Sequence, residues 1–422
     1  MIDIEVFRDN PERIRDSELR RGNDPEKVDE VVEKDQEWRE KLQELEKLQQ
    51  KRNKVGDEIA ELKQEGEDAE DKIEKMSEVK QRIKTLEEEV TELKDKRDEL
   101  RYRIGNLLDD SVPEGEGEED NPELRSWEPE GGKPEDSELA ADILEKNDSL
   151  SSEKAAEVGG ERAYFLEPGL MKLSQALINF AIDFLEDRDF GVYQVPYMLE
   201  ERSIAAAVDL QTFEEQLYQV NDNGRYLIGT SEHALAAKYQ DEVIEEELPL
   251  KLGGFSTNFR KEAGKHGKQT RGIWRVHQFE KVEQFVFCRP ENHLETLQET
   301  LENAEDIMKE LGLSYRVVDI CDGDISNKTF KQYDIEVWRP PLSEYGEVGS
   351  YGSCTDYQAR EFDTQYREKG DRKVPYTVYA TGIVPQRVIT AIIENNMTEK
   401  GIKVPEPLQN YLGGKEYLQI KN

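Results

Sequence analysis

Between Phe259 and Glu283 the chain reads FRKEAGKHGKQTRGIWRVHQFEKVE, a stretch dense in groups that handle anions. Arg260 and Arg271 bracket a polar loop holding Gly264, Lys265, His266, Gly267 and Lys268. A guanidinium fork matches the oxygens of a phosphate. Two strands joined by that loop are predicted. In the second, Trp274, Val276, Gln278, Glu280 and Val282 take one face, and Arg275, His277, Phe279, Lys281 and Glu283 take the other. A strand face of Arg, His, Phe, Lys and Glu is either solvated or the floor of a binding site. Phe279 offers a ring on which a base can stack. Further on, Arg387 falls in the first turn of a helix predicted over Pro385 to Asn396. Proline favours that start, but the helix dipole repels a cation there, so Arg387 is expected to have another task.

The elements that position these residues make up the second part of the chain. From Glu138 onward it is mixed α and β. A short helix over Leu139–Leu144 and a strand over Arg162–Leu166 come first. An amphipathic helix follows over Leu170–Asp187, leading to a strand over Phe190–Val195 closed by Pro196. Asn221-Asp222-Asn223-Gly224 is a hairpin turn. It delivers a strand over Tyr226–Gly229 and then Thr230-Ser231-Glu232, where a hydroxyl is most often only a helix cap. A helix is expected over Pro290–Leu311, then strands over Tyr315–Cys321, Tyr333–Trp338 and Tyr376–Ala380, with Thr381-Gly382 as a turn.

The first part has another character. From Val28 to Ile104 there is no proline and charge dominates. Met76, Val79, Ile83, Leu86, Val90, Leu93, Arg97, Leu100 and Ile104 step by three and four, a heptad seam. Trp38, Leu42 and Leu45, then Leu48, Val55, Ile59 and Leu62, continue it in the first half with one slip. Gln64 to Asp68 breaks the two, which predicts an antiparallel helical hairpin with arms of roughly 50–55 Å. Such a hairpin is either a dimerisation coiled coil or an arm that grips an elongated partner. Residues 28–105 hold 18 Lys+Arg against 25 Asp+Glu. Phosphate contacts there must therefore come from local clusters such as Arg82 with Lys84, or Lys94, Lys96 and Arg97.

Of the 422 residues, 95 are Asp or Glu and 58 are Lys or Arg, a formal charge of −37. Taken alone this opposes nucleic-acid binding, which uses cations. The excess is diffuse, the pattern of a protein kept soluble in strong salt. A halophilic, cytoplasmic protein, from a halophilic archaeon, is the expectation. Cys288, Cys321 and Cys354 form no CxxC pair and are expected as free thiols. His233, His266, His277 and His293 make no metal spacing. The sequence contains neither a membrane-length apolar run nor a signal peptide.

The stretch opening this section resembles motif 2 of the class II aminoacyl-tRNA synthetases, in the form used by seryl-tRNA synthetases: R-x-E-A-G, a loop, then R-G-(hydrophobic)-x-R-V-H-Q-F-x-K-V-E. The resemblance extends along the chain. The helix and strand ending at Pro196 resemble motif 1, the dimer interface, and Tyr333 to Trp338 matches Y-D-L-E-V-W. Pro385 to Asn396 resembles motif 3. It implies an α+β fold, a class II antiparallel sheet flanked by helices and preceded by the coiled-coil hairpin. The implied division is a tRNA-binding arm (1–108, hairpin 28–105), an acidic Gly/Pro linker (109–136) and a catalytic domain (137–422).

The resemblance also implies roles. Arg260 bridges the α-phosphate of ATP and the substrate carboxylate, with Lys261 beside it, and Arg271 holds the γ-phosphate. Glu262 reads the adenine, Val276 borders it, and Phe279 and Arg387 cover its faces. Glu347, Val348, Gly349 and Ser350 line the ATP site, with Glu347 and Ser350 on a magnesium ion, whose preference for hard oxygens they meet. Thr230, Ser231, Glu232, Arg260, Glu283 and Thr381 form the serine pocket. Arg260, Arg271 and Arg387 carry catalysis by neutralising charge. The implied partners are L-serine, tRNA(Ser) on the arm, with tRNA(Sec) as an additional substrate, and a second copy in a homodimer. The chain departs from the family in Ala380-Thr381-Gly382, in Gly349-Ser350-Tyr351-Gly352-Ser353, and in Arg360-Glu361. Two rivals remain: a paralogue that loads a carrier protein, and a catalytically inactive tRNA-binding protein.

Overall fold

The computed structural model describes residues 1–147, 150, 152–208, 216–220, 224–262 and 271–419. The chain divides into two compact units, Ile2–Gly105 and Asn106–Asn422, with Met1 counted in the second.

The first unit is built on two long helices, α1 (Glu26–Glu65) and α2 (Glu70–Tyr102). Gly66 ends α1 in the left-handed conformation (φ +76°), its amide on the Leu62 carbonyl. A glycine adopts that cap without the Cβ penalty. Leu45, Ile83 and Leu86 are buried together, flanked by Leu48, Val79 and Val90, so the seam read from the sequence packs as a hairpin. Its base is polar. Asp35 is buried and accepts from Arg8 at 2.8 Å and from Arg97 at 3.1 Å, and Arg97 lies 4.7 Å from the Trp38 ring centre.

The second unit is an eight-stranded sheet. Its strands are β1 (Glu123–Trp127), β2 (Gly191–Gln194), β3 (Leu250–Phe259), β4 (Gln278–Cys288), β5 (Tyr315–Asp319), β6 (Lys331–Arg339), β7 (Glu344–Thr355) and β8 (Tyr376–Ile383). Their order is β1-β5-β6-β7-β8-β4-β3-β2. Every neighbouring pair is antiparallel except β2 with β3. Helices α3 (Pro168–Glu186), α4 (His293–Glu310) and α5 (Pro385–Asn396) supply apolar side chains to a core with Val282, Val286, Val337 and Val378. Phe285, Phe287 and Tyr379, from the same strands, belong to a second core with Ile204, Leu235 and Tyr239. Alternation along β4 assigns these sets to opposite faces. Among the described residues no helix is long and apolar enough to cross a membrane.

Several predicted elements differ. The strand expected from Trp274 begins at Gln278, and residues 271–274 form a turn. Gly272 is left-handed (φ +70°), and Trp274 packs under Arg339, 4.2 Å from its ring centre, which takes both out of the ladder. Arg162–Leu166 is not a strand; Arg162 has φ +62° and only Leu166 forms a bridge, with Leu150. Thr381-Gly382 is not a turn but the end of β8, where the register shifts between Thr381 and Ile383. A Cβ on Gly382 would lie 2.9 Å from the Val282 carbonyl oxygen, so the close approach needs glycine. Residues 109–136, read as a linker, contribute β1 and bury Val112 against Val318 and Ile320. The loop residues Gly264, Lys265, His266, Gly267 and Lys268, and the turn residues Asn221 to Asn223, lie outside the described residues.

Candidate active site

The floor of the site is the paired end of β3 and β4, where Gly254 faces Glu283, Ser256 faces Lys281 and Asn258 faces Phe279. Alternation brings Phe279, Lys281 and Glu283 to one face, as the sequence predicts. The turn Thr230-Ser231 leads into a short helix, Glu232–Ala236, against that floor. Ser231 is wholly buried and donates to the Gly254 carbonyl at 3.0 Å. A Cβ on Gly254 would stand 2.9 Å from the Ser231 Cβ, so the missing side chain admits the turn.

Thr230 donates to Glu283 Oε2 at 2.8 Å, and the Lys281 ammonium contacts the same oxygen. Glu283 Oε1 is buried with no hydrogen-bond partner among the described residues. A buried, half-satisfied carboxylate costs free energy, about 1–3 kcal/mol for the missing bond, and so marks a place for a donor. Burial pushes the Glu283 carboxyl up, with Lys281 opposing. Glu232 is differently placed. It takes the Lys328 ammonium and a 2.8 Å bond from Gln358. Burial would raise its carboxyl, but Lys328, His233 and Gln358 together hold it below the usual range. Thr230 therefore meets Glu283 directly, and Thr381 is paired in register with Glu283 across β8 and β4. Ser231 and Glu232 support them from behind.

Arg260 stands beside this pocket. Its Nε donates to the Gly229 carbonyl at 3.0 Å, and its guanidinium lies 5.2 Å from the Phe279 ring centre. His277 fixes the backbone there: its carbonyl accepts from the Arg260 amide at 2.9 Å, and its Nδ1 lies 3.0 Å from the Arg260 carbonyl. The Lys261 amide donates to the Gln216 carbonyl at 2.8 Å. Glu262 is left-handed (φ +49°); its carboxylate pairs with Arg275 and its carbonyl accepts from Arg162. Val276 is buried in the core below. Arg271 points to another neighbour, pairing with Asp142 at 2.8 Å and Glu145 at 3.3 Å, and is 43% exposed.

From the other side come β7 and α5. Arg387 pairs with Glu347 Oε1 at 3.0 Å and donates to the Glu347 carbonyl at 2.8 Å. That is the task that offsets its place at a helix start. Ser350 Oγ donates to Glu347 Oε1 at 3.4 Å. The Arg387 guanidinium holds the Glu347 carboxyl below its ordinary value, against burial and with help from Arg260. Val348 points into the core, so only its backbone is offered to the site. Gly349 abuts Thr381. Asp334 pairs with Ser350 across β6 and β7. Burial and the charge of Glu347 push its carboxyl well above the ordinary range. Among the described residues no three His, Cys, Asp or Glu side chains make a self-contained metal site.

Four residues that shape the site carried no assignment in the sequence reading: Arg275, Lys281, Lys328 and Asp334. Arg275 and Lys281 were visible as the polar face of a strand. Lys328 is 96 positions from Glu232 in sequence, and no spacing rule connects such a pair.

This arrangement has relatives. Residues 1–108 match the "Seryl-tRNA synthetase N-terminal domain". Residues 212–396 match the "tRNA synthetase class II core domain (G, H, P, S and T)". A serine–tRNA ligase of Picrophilus torridus is 38% identical over 99% of this chain and 99% of its own. The seryl-tRNA synthetase of Pyrococcus horikoshii, solved with ATP, superposes with a TM-score of 0.93 at 37% identity, covering 100% of both chains. The cytoplasmic serine–tRNA ligase of Naegleria fowleri, solved with AMP, gives 0.89 at 35% identity, covering 100% of this chain and 99% of its own.

Proposed function

The chain belongs to the seryl-tRNA synthetase family of class II ligases, and from that membership we propose how its own residues carry the reaction. The enzyme is a serine–tRNA ligase that binds ATP. In the first step the serine carboxylate attacks the α-phosphorus of ATP, the bond to the β-phosphate breaks, and pyrophosphate leaves with its electrons. In the second, the 3′-terminal ribose hydroxyl of tRNA(Ser) attacks the seryl carbonyl, and AMP leaves. The first step joins two anions, so placing them and neutralising their charge is the main task.

Arg260, fixed between Gly229 and Phe279, is assigned to the α-phosphate and the serine carboxylate. Phe279 and Arg387 take the adenine between them, with Glu262 at its amino edge, the backbone of Lys261 and Val276 alongside, and the Val348–Gly349 backbone opposite. For the outer phosphates we assign Arg275, which abuts Glu262. Arg271 takes the γ-phosphate once it exchanges Asp142 and Glu145 for it. Thr230, Glu283 and Thr381 receive serine, with Ser231 and Glu232 holding the turn that places them. The single observation that carries this reading is the buried Glu283 Oε1 with no hydrogen-bond partner among the described residues, beside Thr230 and Lys281. It is an acceptor waiting for the ammonium or hydroxyl of a small polar substrate. A site built for a hydroxyl rejects analogues that lack it.

Glu347 and Ser350, with Asp334 behind, offer hard oxygens too few for a closed cage. That fits magnesium, which takes one or two carboxylates and completes its shell with phosphates and water. When bound it supplies charge neutralisation to the leaving pyrophosphate. Exposed Phe165, Met171, Tyr193 and Met198, on or near the segment resembling motif 1, support a homodimer. The −37 charge supports a halophilic cytoplasm. The hairpin is assigned to tRNA(Ser), with tRNA(Sec) as a further substrate where the cell has one. Deleting residues 36–102 tests the assignment: serine-dependent ATP–pyrophosphate exchange is expected to persist and tRNA charging to be lost. Charging that survives would make the hairpin a stability or dimer element only.

A further inference from the structure

Two arginines share one ring. The Trp274 ring centre lies 4.2 Å from the Arg339 guanidinium and 5.8 Å from that of Arg387. Both distances are within reach of a cation–π contact, but the two cations are held differently. Arg339, the last residue of β6, is buried and gripped twice by Glu394 of α5, Nε on Oε2 at 2.9 Å and Nη2 on Oε1 at 2.7 Å. Glu394 is buried as well, and its Oε1 also accepts from the Ala140 amide at 3.3 Å. Beside it, Asn395 donates to the Trp338 carbonyl at 3.0 Å, a second tie between the ends of β6 and α5. A two-point pair of this kind fixes the plane of the guanidinium. The Arg339 charge is thus matched inside the fold, and its flat face serves Trp274. Gly346 on β7 closes the indole in. A Cβ there would stand 2.7 Å from Trp274 Cζ2 and 3.0 Å from Arg339 Cδ, closer than real Cβ atoms come to a ring carbon, so the strand carries no side chain at this point. The next residue, Glu347, is the one on which Arg387 rests.

We propose that Arg339, Glu394 and Trp274 are a positioning cluster for Arg387: the buried ion pair fixes the indole, and the indole fixes the guanidinium that covers the adenine. The cluster then sets the affinity for ATP through Arg387. The proposal rests on the nucleotide role given to Arg387 above. Arg387 has need of such support. It is a long, flexible side chain at a helix start, where the dipole disfavours a cation. Its charged partner, the Glu347 carboxylate, is also assigned to magnesium, and a carboxylate drawn to a metal holds a guanidinium less firmly. An aromatic face makes no such competing bond. Arg387 and Glu394 stand seven residues apart on α5, two turns along one face. The pair that clamps the far end of the helix therefore also supports the ring beside its near end.

The test is calorimetric titration of the full chain with ATP and magnesium, read beside the KM for serine in ATP–pyrophosphate exchange. Trp274→Leu keeps an apolar side chain and removes the ring face. It is expected to weaken ATP binding about fivefold, the worth of one partly buried cation–π contact, and to leave the serine KM unchanged. Trp274→Phe keeps a face and is expected to recover most of the affinity. Arg339→Lys keeps Glu394 paired but gives up the fork and the flat stack, and is expected to weaken ATP in the same direction. In an Arg387→Ala chain, Trp274→Leu is expected to cost nothing further, because the guanidinium it positions is gone. A residue that merely fills space would cost the same in both backgrounds. Unchanged ATP affinity in Trp274→Leu, an equal loss in both backgrounds, or a serine KM that rises in step would overturn the proposal. Should Trp274→Leu fail to fold, Arg339→Lys in the two backgrounds decides alone. ATP binding by Arg387→Ala equal to wild type is a different failure, and would overturn the reading beneath.

Discussion

Arg260 and Glu283 divide the chemistry between them at the scale of single residues. In the proposed reading, one carries positive charge where two anions must meet; the other carries a buried oxygen with no hydrogen-bond partner among the described residues, assigned to the substrate. The cations around Arg260 can be ranked from their present partners. Arg275 already lies against Glu262, whereas Arg271 is held half-exposed by Asp142 and Glu145. Both Arg275→Ala and Arg271→Ala are expected to slow exchange more than tenfold, with the larger loss at Arg275. Each missing transition-state contact is worth about 2.7–4 kcal/mol in comparable sites. Equal, small losses would remove both from phosphate binding.

His233 gives a second residue-scale prediction. Burial, the largest influence, holds it neutral, with its pKa down to about 3 from 6.5, against the charge of Glu232. Between those values the unfolded chain binds a proton that the folded chain refuses. Stability therefore rises with pH in that window and is lost as pH falls below 6.5, by ~1.4 kcal/mol per pH unit for one group. Urea midpoints of wild type and His233→Gln at pH 7 and pH 5.5 check this. The variant should lose less stability between the two; identical slopes would mean that His233 is not the group titrating.

At the scale of elements, what was legible in the sequence followed from local signals. Gly66 ends a helix, Pro385 starts one, and the heptad step gave the hairpin and its seam. Alternation over β4 placed Phe279, Lys281 and Glu283 on one face. What was not legible depended on distant partners. The strand reading failed at Trp274 because Arg339, from β6, takes the ring. It stopped too early at Thr381 because Val282 admits Gly382 only as backbone. Arg97, read as a seam position, serves the base of the arm, where Asp35 gathers Arg8 and Arg97. Removing a buried partner leaves charges uncompensated, a cost of about 3–5 kcal/mol. Asp35→Ala is expected to lower arm stability by that order while serine-dependent exchange persists. Urea unfolding followed by far-ultraviolet dichroism, read beside the exchange rate, separates the two. A variant with unchanged unfolding would deny Asp35 its structural role.

For the whole molecule, composition and family pull in opposite directions, and the proposed halophilic setting would reconcile them. A charge of −37 repels both itself and a polyanionic tRNA. Screening shortens from ~10 Å at 0.1 M to ~3 Å at 1 M, which relieves both. At that ionic strength little counterion release remains to drive binding, so, under the proposed assignment of the hairpin to tRNA, shape and hydrogen bonding are expected to carry more of the recognition. The same reasoning makes the catalytic unit's buried contacts, which salt screens least, the durable part of the enzyme.

The most direct measurement is ATP–pyrophosphate exchange with magnesium in molar salt, offering each of the twenty amino acids in turn and repeating the series in dilute buffer. The account predicts exchange that depends on serine alone and is stronger in molar salt. Exchange driven by a different amino acid would contradict the assignment of Thr230, Glu283 and Thr381. No exchange at any salt concentration would contradict the enzyme itself and favour a protein that only binds tRNA.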